Sequence, residues 1–119
     1  MQLYMVEKLV SGVLVLDLRG RITLGPETEA VRERVRRLVE AGYTRIILNL
    51  EDVAYVDSVG LSTLVASYTT ARRQGGTVKL LKLTKRLRDL LQITRLSTVF
   101  ETFETLEDAV CSFGEAAAS

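Results

Sequence analysis

The stretch RIILNLEDVAYVDSVGL, residues 45–61, contains the strand, turn and helix start that indicate the fold of this chain. Its first six residues, 45–50, are rich in isoleucine and leucine, a composition typical of a buried strand. Polar residues follow and predict a connecting turn, and a helix is expected to begin at or just before Ser58. A strand that leads into a helix is the repeating unit of an α/β fold with a parallel sheet.

Two more strands are predicted before this stretch, over residues 3–10 and 13–18. The dipeptide Ser11-Gly12 between them is a hairpin signal, because glycine tolerates the positive φ that a two-residue turn requires. Gly20 is expected to end the second strand. The sheet should therefore begin with an antiparallel pair.

Apolar stripes at helical spacing predict two longer helices. The first opens with the Gly-Pro pair at 25–26, since proline suits the first helical position, and it ends at Gly42. The second begins near Ser58 and ends at the glycine pair at 75–76. The stripes are Val31, Val35, Leu38 and Val39 in the first helix, and Leu61, Leu64, Val65 and Tyr68 in the second.

The C-terminal third of the chain continues the alternation of strands and helices. A strand is predicted over 77–83, a helix over about 84–93, and a short extended stretch around 99–103. A last helix is predicted to begin at Thr105, a plausible N-cap. Cys111 lies beside the apolar face of this helix, so we expect it to be buried or half-buried.

Together these elements predict the α/β fold class, with a small, mixed, mostly parallel β-sheet that starts with an antiparallel hairpin and is flanked by about four helices. A chain of 119 residues has the size of one domain. We expect this single domain over residues 1–113 and a frayed C-terminal tail over 114–119.

The composition excludes several classes of function. The chain contains no histidine and one cysteine, which rules out Ser-His-Asp or Cys-His catalysis, His-ligated or Cys-cluster metals, and an intrachain disulfide. The net charge of +1 gives no general attraction to nucleic acid or membranes. No run of apolar residues is long enough to span a bilayer, and no secretory signal is visible. We therefore expect no catalytic residue, no metal, no cofactor, no nucleic-acid or membrane partner, and a cytoplasmic monomer.

The start of the second helix is the candidate functional segment. Asp57 and Ser58 both suit the N-cap, where a side-chain oxygen accepts a hydrogen bond from an unpaired N–H. A phosphate on Ser58 would add a charge of about −1.5 to −2 beside the positive end of the helix dipole, while Asp57 would repel it. A partner bound at this surface would then meet a new dianion. Gly60 either lets a partner approach closely or provides close packing in the first turn.

Three runs of the sequence carry a resemblance to a known family: NLEDVAYVDSVGL at 49–61, the glycine pair at 75–76, and RLRDLL at 86–91. The chain resembles bacterial STAS domains from about residue 10 to 113, and among them the stand-alone anti-sigma factor antagonists. The resemblance implies the STAS fold and a partner switch. The unphosphorylated antagonist would bind an anti-sigma factor that is a serine kinase, which frees a sigma factor. Phosphorylation would release it, and a PP2C-type phosphatase would restore it.

The most specific part of the resemblance is the motif Asp-Ser-x-Gly-Leu, which implies phosphorylation at Ser58. Family members often carry a second serine or threonine after the phosphoserine, but Val59 here has no hydroxyl. In some sporulation-type members an aspartate in the loop after the second strand contacts the kinase, and Thr23 stands at the corresponding position. The partner-binding residues implied by the motif and its rim are Thr23, Asp57, Ser58, Val59, Gly60, Leu61 and Ser62.

Three other interpretations stay open. A receiver domain of a two-component system would use Asp57 as its phosphoacceptor, but it needs clustered acidic residues to hold Mg²⁺, and the hairpin offers only Asp17. A basic patch for nucleic acid would have to form from Arg72, Arg73, Lys79, Lys82, Lys85, Arg86 and Arg88. The third interpretation lies within the family, since some STAS domains are accessory subunits of transporters or scaffold pieces of signalling assemblies.

Overall fold

A five-stranded sheet lies at the centre of the protein, and a computed structural model describes it over residues 3–114. The helices cover the two faces of this sheet unequally. The elements are β1 Leu3–Val10, β2 Val13–Ile22, α1 Pro26–Glu40, β3 Arg45–Val56, α2 Ser58–Arg73, β4 Thr77–Leu81, α3 Lys85–Ile93, a 3₁₀ turn Leu96–Thr98, β5 Thr102–Phe103 and α4 Leu106–Cys111.

The strands lie in the order β1-β2-β3-β4-β5. β1 and β2 are antiparallel, and every later pair is parallel. Ser11 and Gly12 connect the first pair with φ values of 50° and 80°, the positive values that a type I′ hairpin turn requires. This arrangement confirms the predicted fold class, a mixed and mostly parallel sheet that begins with a hairpin.

Two strands are longer than predicted. β2 continues past Gly20, whose φ of 120° accompanies a shift in the ladder between β2 and β3. β3 runs to Val56, so the turn predicted after residue 50 is wrong. The polar residues there belong to a strand with an exposed face, and the carboxylate of Asp52 lies 3.6 Å from Arg19 on β2. Local sequence does not reveal such cross-strand pairing.

β4 is shorter than predicted because Lys82 has a φ of 57° and ends the strand after Leu81. Thr84 is the N-cap of α3, and its hydroxyl accepts a hydrogen bond from the Leu87 amide at 3.2 Å. The helix therefore begins at Lys85, one residue after the predicted start.

The larger core lies between the sheet and helices α1, α2 and α3. The predicted stripe of α1 is buried throughout. In α2, Leu61 and Leu64 are buried, and Val65 and Tyr68 pack against the same core. Alternate residues of β2 point to opposite faces of the sheet, so Leu14 and Leu16 lie in this core. The helix that carries Ser58 is thus held by an apolar stripe along its length.

A smaller core lies on the opposite face of the sheet, under α4. Thr105 caps this helix as predicted, since its hydroxyl accepts a hydrogen bond from the Asp108 amide at 3.1 Å. Cys111 is exposed, so the prediction of a buried or half-buried cysteine is wrong. Val110, the residue before it, packs against the smaller core. Because successive side chains on a helix differ in direction by about 100°, the side chain of Cys111 points to solvent.

The predicted tail at 114–119 lies outside the described residues apart from Gly114, and the domain limits of 1–113 stay a prediction. Within residues 3–114, no helix combines the length and the apolar character that crossing a membrane would require.

Candidate functional site

The carboxyl ends of β2 and β3 meet at one edge of the sheet, where Ile22 pairs with Val56. The loop after β2 and the start of α2 therefore lie side by side. We call this surface the tip, and it consists of Thr23, Leu24 and residues 57–62. The crevice beyond the carboxyl ends of parallel strands is the usual place for a functional site in an α/β sheet.

Asp57 joins the two segments of the tip. Its Oδ1 accepts a hydrogen bond from the Gly60 amide at 2.7 Å, which caps α2. Its Oδ2 accepts a hydrogen bond from the Leu24 amide at 3.0 Å, across to the loop after β2. Its own amide donates to the carbonyl of Ile22 at 3.3 Å. One carboxylate thus fixes the position of both segments.

These hydrogen bonds keep Asp57 negatively charged. The amides of Gly60 and then Leu24 hold the pKa of the Asp57 carboxyl below its ordinary value, because each donates to the ionised form. A permanent negative charge therefore stands next to Ser58 at neutral pH.

Ser58 is the first residue of α2 and is exposed. Both Asp57 and Ser58 suit the N-cap by sequence, and in the structure Asp57 is the residue that fills it. The Ser58 side chain is thus left at the surface. Its carbonyl accepts a hydrogen bond from the Ser62 hydroxyl at 3.0 Å, so Ser62 bonds back to the helix although it is also exposed.

Gly60 is buried against the end of β2. A Cβ at this position would lie 1.8 Å from the carbonyl oxygen of Ile22 and 2.7 Å from its carbonyl carbon. Of the two roles open to Gly60 by sequence, the structure shows close packing in the first turn. Leu61 is also buried, in the larger core. These two residues support the tip from below and do not line its surface.

The exposed part of the tip is more apolar than the sequence suggests. Val59 is 39% exposed and Leu24 is 78% exposed, while Thr23 is half-buried. Sequence analysis missed Leu24 because it lies in a loop with no periodic pattern to mark it. The only local signal was a large apolar side chain in a short loop directly after Thr23, because its place beside Ser58 depends on the fold.

A second feature beside the tip was also missed, a groove of about 550 Å³ between the end of β3 and α3. The guanidinium groups of Arg21 and Arg86 lie 5.6 and 5.7 Å from the centre of the Tyr55 ring. Such contacts exist only because β3 continues to Val56. The groove is lined by Tyr55, Val56, Lys85, Arg86, Asp89, Leu90 and Ile93.

The basic residues that a nucleic-acid site would need are mostly paired with carboxylates. The ammonium group of Lys79 is buried, donates to Ser112 Oγ at 2.9 Å and lies 3.4 Å from Glu101. The other pairs are Lys82 with Glu51, Lys85 with Asp89, and Arg88 with Glu104. Four of the seven cations thus have a carboxylate partner close by, which lowers the positive charge they could offer to a nucleic acid.

Between residues 3 and 114, the acidic residues do not form the cluster that a receiver domain needs. Asp17 accepts a hydrogen bond from Asn49 at 2.9 Å and lies 3.6 Å from Lys8. In the part of the chain that the structure describes, no three Asp, Glu, Cys or His side chains converge as a metal site would require. Each carboxylate oxygen of Asp57 accepts an amide hydrogen bond within the tip.

Removing the Asp57 carboxylate should detach the loop after β2 from α2. We expect Asp57→Ala to lower the urea midpoint of unfolding, and Asp57→Asn to lower it less, because the amide keeps one acceptor oxygen. The lowered pKa means that the charged carboxylate stabilises the fold fully above its ordinary pKa of about 3.8 and loses this effect as the pH falls. The difference between wild type and Asp57→Asn should therefore shrink at acid pH.

A matched control is Asp108→Asn, which changes an exposed carboxylate in the first turn of α4. At neutral pH it should lower the urea midpoint less than Asp57→Asn does, because the hydroxyl of Thr105, and not the carboxylate of Asp108, caps that helix. An Asp57→Ala variant as stable as wild type would contradict the role of the cap.

Known proteins and solved structures are similar to this chain over most of its length. The sequence model of the STAS domain matches residues 4–109. The anti-sigma-B factor antagonist of Bacillus subtilis is 35% identical over 80 residues, which are 67% of this chain and 72% of that protein. An anti-sigma factor antagonist from Mycobacterium paratuberculosis has a similar structure, with a TM-score of 0.77 at 22% identity over 92% of each chain.

The Bacillus cell fate determinant SpoIIAA shares the fold and has been solved in two states. Its phosphorylated form matches with a TM-score of 0.71 at 20% identity, over 92% of this chain and 99% of that one. The unphosphorylated form, described as an anti-sigma factor antagonist, matches with a TM-score of 0.70 at 18% identity. The match covers 94% of this chain and 98% of that one.

Proposed function

Because the chain belongs to the STAS domain family, we propose that it is an anti-sigma factor antagonist that works as a phosphorylation-controlled partner switch, with Ser58 as the phosphorylated residue. The observation that carries this proposal is the exposed Ser58 hydroxyl at the start of α2, on a surface held rigid by Asp57. Proteins of this kind are regulatory binding proteins and not enzymes.

The names of the relatives support the same function. The Bacillus subtilis relative is called an antagonist of the anti-sigma-B factor. SpoIIAA, which shares the fold, exists in phosphorylated and unphosphorylated forms. We infer that the partner of this chain is an anti-sigma factor with serine kinase activity, and that a PP2C-type phosphatase removes the phosphate. ATP would be the kinase's substrate, so the chain itself needs no cofactor, and it would act in the cytoplasm.

The geometry of the tip explains how one phosphate would act as a switch. A phosphate on Ser58 would lie at the N-terminus of α2, where free amides and the helix dipole favour negative charge. The fold would therefore tolerate it. The ionised Asp57 carboxylate beside it would add a like charge, so a partner covering the tip would have to bury two neighbouring anions. Binding would weaken while the protein stays folded.

The neighbouring surface fits a protein partner. Leu24 and Val59 are exposed apolar side chains on the same tip as Ser58. Apolar side chains grouped on one surface, with polar residues around them, mark protein interaction sites more often than single exposed apolar residues do. The unphosphorylated tip would offer apolar contact, and the phosphate would place charge in the middle of it.

The proposal is tested by incubating the protein with each serine-kinase anti-sigma factor encoded in the same genome, in the presence of ATP, and mapping the product by mass spectrometry. We expect one phosphate per chain, on Ser58, and none on Ser58→Ala. The matched control Ser62→Ala removes the other exposed hydroxyl of the tip and should be phosphorylated normally.

The outcome is informative because nearby hydroxyls differ in burial. Thr63 and Ser67 are buried, so a kinase could reach them only after local unfolding. Phosphate on either residue would contradict the proposal. An acyl phosphate on Asp57, identified by cleavage with hydroxylamine, would contradict it as well.

A further inference from the structure

The two edges of the sheet differ in how well they are protected. β5 forms one edge with two residues, which is too short to pair with another chain. β1 forms the other edge with eight residues, and its ladder with β2 is regular from Leu3 to Val10. In residues 3–114, no strand pairs with the outer side of β1. A long, regular edge strand is a ready template for pairing with another chain.

We propose that β1 pairs with β1 of a second copy of the chain, antiparallel and across a two-fold axis at Val6, so that the two sheets join into one sheet of ten strands. This dimer replaces the monomer expected from the sequence. It is independent of the proposed function, because it uses none of the residues of the tip.

The composition of β1 supports an occupant at this edge. Three of its large apolar side chains are exposed: Tyr4 by 56%, Val6 by 59% and Leu9 by 59%. A cavity of about 310 Å³ is lined by Tyr4 and Val6 on β1 and by Asp17 and Arg19 on β2. The sheet face here is thus left partly unfilled by the chain's own side chains.

The charged residues of β1 do not protect the edge. Edge strands usually carry free charges, prolines or bulges that prevent pairing. Here Glu7 accepts a hydrogen bond from Arg34 of α1 at 2.7 Å, and Lys8 lies 3.6 Å from Asp17 of β2. Each of these side chains has an oppositely charged partner within the chain, and β1 contains neither proline nor a bulge.

One register pairs the longest stretch of β1 with itself without placing like charges opposite each other. Residues opposite each other in an antiparallel pair point to the same face, so a two-fold axis passes through one residue of each strand. An axis at Val6 places Leu3 opposite Leu9, Tyr4 opposite Lys8 and Met5 opposite Glu7, with no like charges in contact. An axis at Glu7 or at Lys8 would place two identical charges face to face. An axis at Met5 also avoids like charges, but it pairs only residues 3–7 of each strand, against residues 3–9 for an axis at Val6.

The dimer leaves the tip free in both copies. Because the two β1 strands would run in opposite directions, the carboxyl ends of β2 and β3 point to opposite ends of the joined sheet. The two Ser58 residues would therefore lie at opposite ends of the joined sheet, each at the end of a strand that is two positions from the shared edge. A dimer of this kind would present two independent tips.

Sedimentation or light scattering over about a hundredfold range of protein concentration tests the proposal. We expect the average mass to rise from 13.2 kDa toward twice that value. Val6→Lys places two ammonium groups together on the axis and should shift the equilibrium at least about tenfold toward monomer. The control Tyr43→Lys introduces the same charge at another exposed large side chain, in the turn after α1 and away from β1. It should leave the dimer intact.

Disulfide trapping tests the register in a Cys111→Ser background. Opposite residues in an antiparallel pair have Cα atoms about 4.5–5.5 Å apart, within disulfide range. Val6→Cys should therefore form a disulfide-linked dimer under mild oxidation. Lys8→Cys places the two thiols about four residues apart along the strands, roughly 14 Å, and should not. A monomer at every concentration, a dimer unaffected by Val6→Lys, or equal trapping at both positions would overturn the proposal.

Discussion

An anti-sigma factor that binds the wild-type protein should bind Ser58→Asp at least about a hundredfold more weakly. The substitution puts a permanent negative charge at the first position of α2, next to the ionised Asp57 carboxylate. A partner that covers the tip would have to bury both charges without a compensating cation. Isothermal titration calorimetry with the purified partner measures the loss directly.

The control for this variant is Ser62→Asp, which adds the same charge one turn further along α2, at another exposed position. We expect it to weaken binding by much less, because it is not adjacent to Asp57. Ser58→Ala should bind like wild type. Equal losses for the two aspartate variants would show that total charge matters and that Ser58 has no special position.

Gly60→Ala should destabilise the protein by at least about 3 kcal/mol. The added Cβ would lie 1.8 Å from the Ile22 carbonyl oxygen, and that neighbour is backbone, which has little freedom to move. Either the first turn of α2 or the end of β2 must shift, and the tip shifts with it. Chemical denaturation measures the loss of stability, and a thermal melt gives an independent check.

The matched control for Gly60 is Gly75→Ala. Gly75 has a φ of 81°, and a Cβ there would meet no atom within 4 Å. Gly75→Ala should destabilise the protein by about 1–2 kcal/mol, which is the cost of placing alanine in a left-handed conformation. If Gly60→Ala were no more destabilising than Gly75→Ala, the close packing of α2 on Ile22 would be contradicted.

We expect a phosphate on Ser58 to act locally and not to move α2. Leu61 and Leu64 anchor the first half of the helix in the larger core. Gly60 fits against Ile22 with no room for displacement in that direction. Close-packed cores resist small continuous shifts. We therefore expect the amide spectra of the phosphorylated and unphosphorylated forms to differ only around the tip.

Periodicity and capping residues were sufficient to predict most elements of the fold. The α1 stripe, the Ser11-Gly12 hairpin and the Thr105 cap depend on residues close together in the sequence, where local rules apply. The motif likewise placed Ser58 at a helix start because the signal is local.

What could not be predicted depends on residues far apart in the chain. The sequence predicts that β3 ends near residue 50. In the structure, hydrogen-bonded pairing with β2 continues the strand to Val56. The bond from the Leu24 amide to Asp57 spans 33 positions. The fit of Gly60 against Ile22 likewise needs the two segments to be brought together by the sheet. These tertiary contacts determine that Ser58 is at the surface, while Gly60 and Leu61 are buried beneath it.

The most direct test of the partner switch is to measure the affinity of one anti-sigma factor for the same protein before and after enzymatic phosphorylation, with mass spectrometry confirming a single phosphate on Ser58. We expect the phosphorylated protein to bind at least about a hundredfold more weakly, and to recover its full affinity after treatment with a PP2C-type phosphatase. Equal affinities for the two forms would contradict the partner switch.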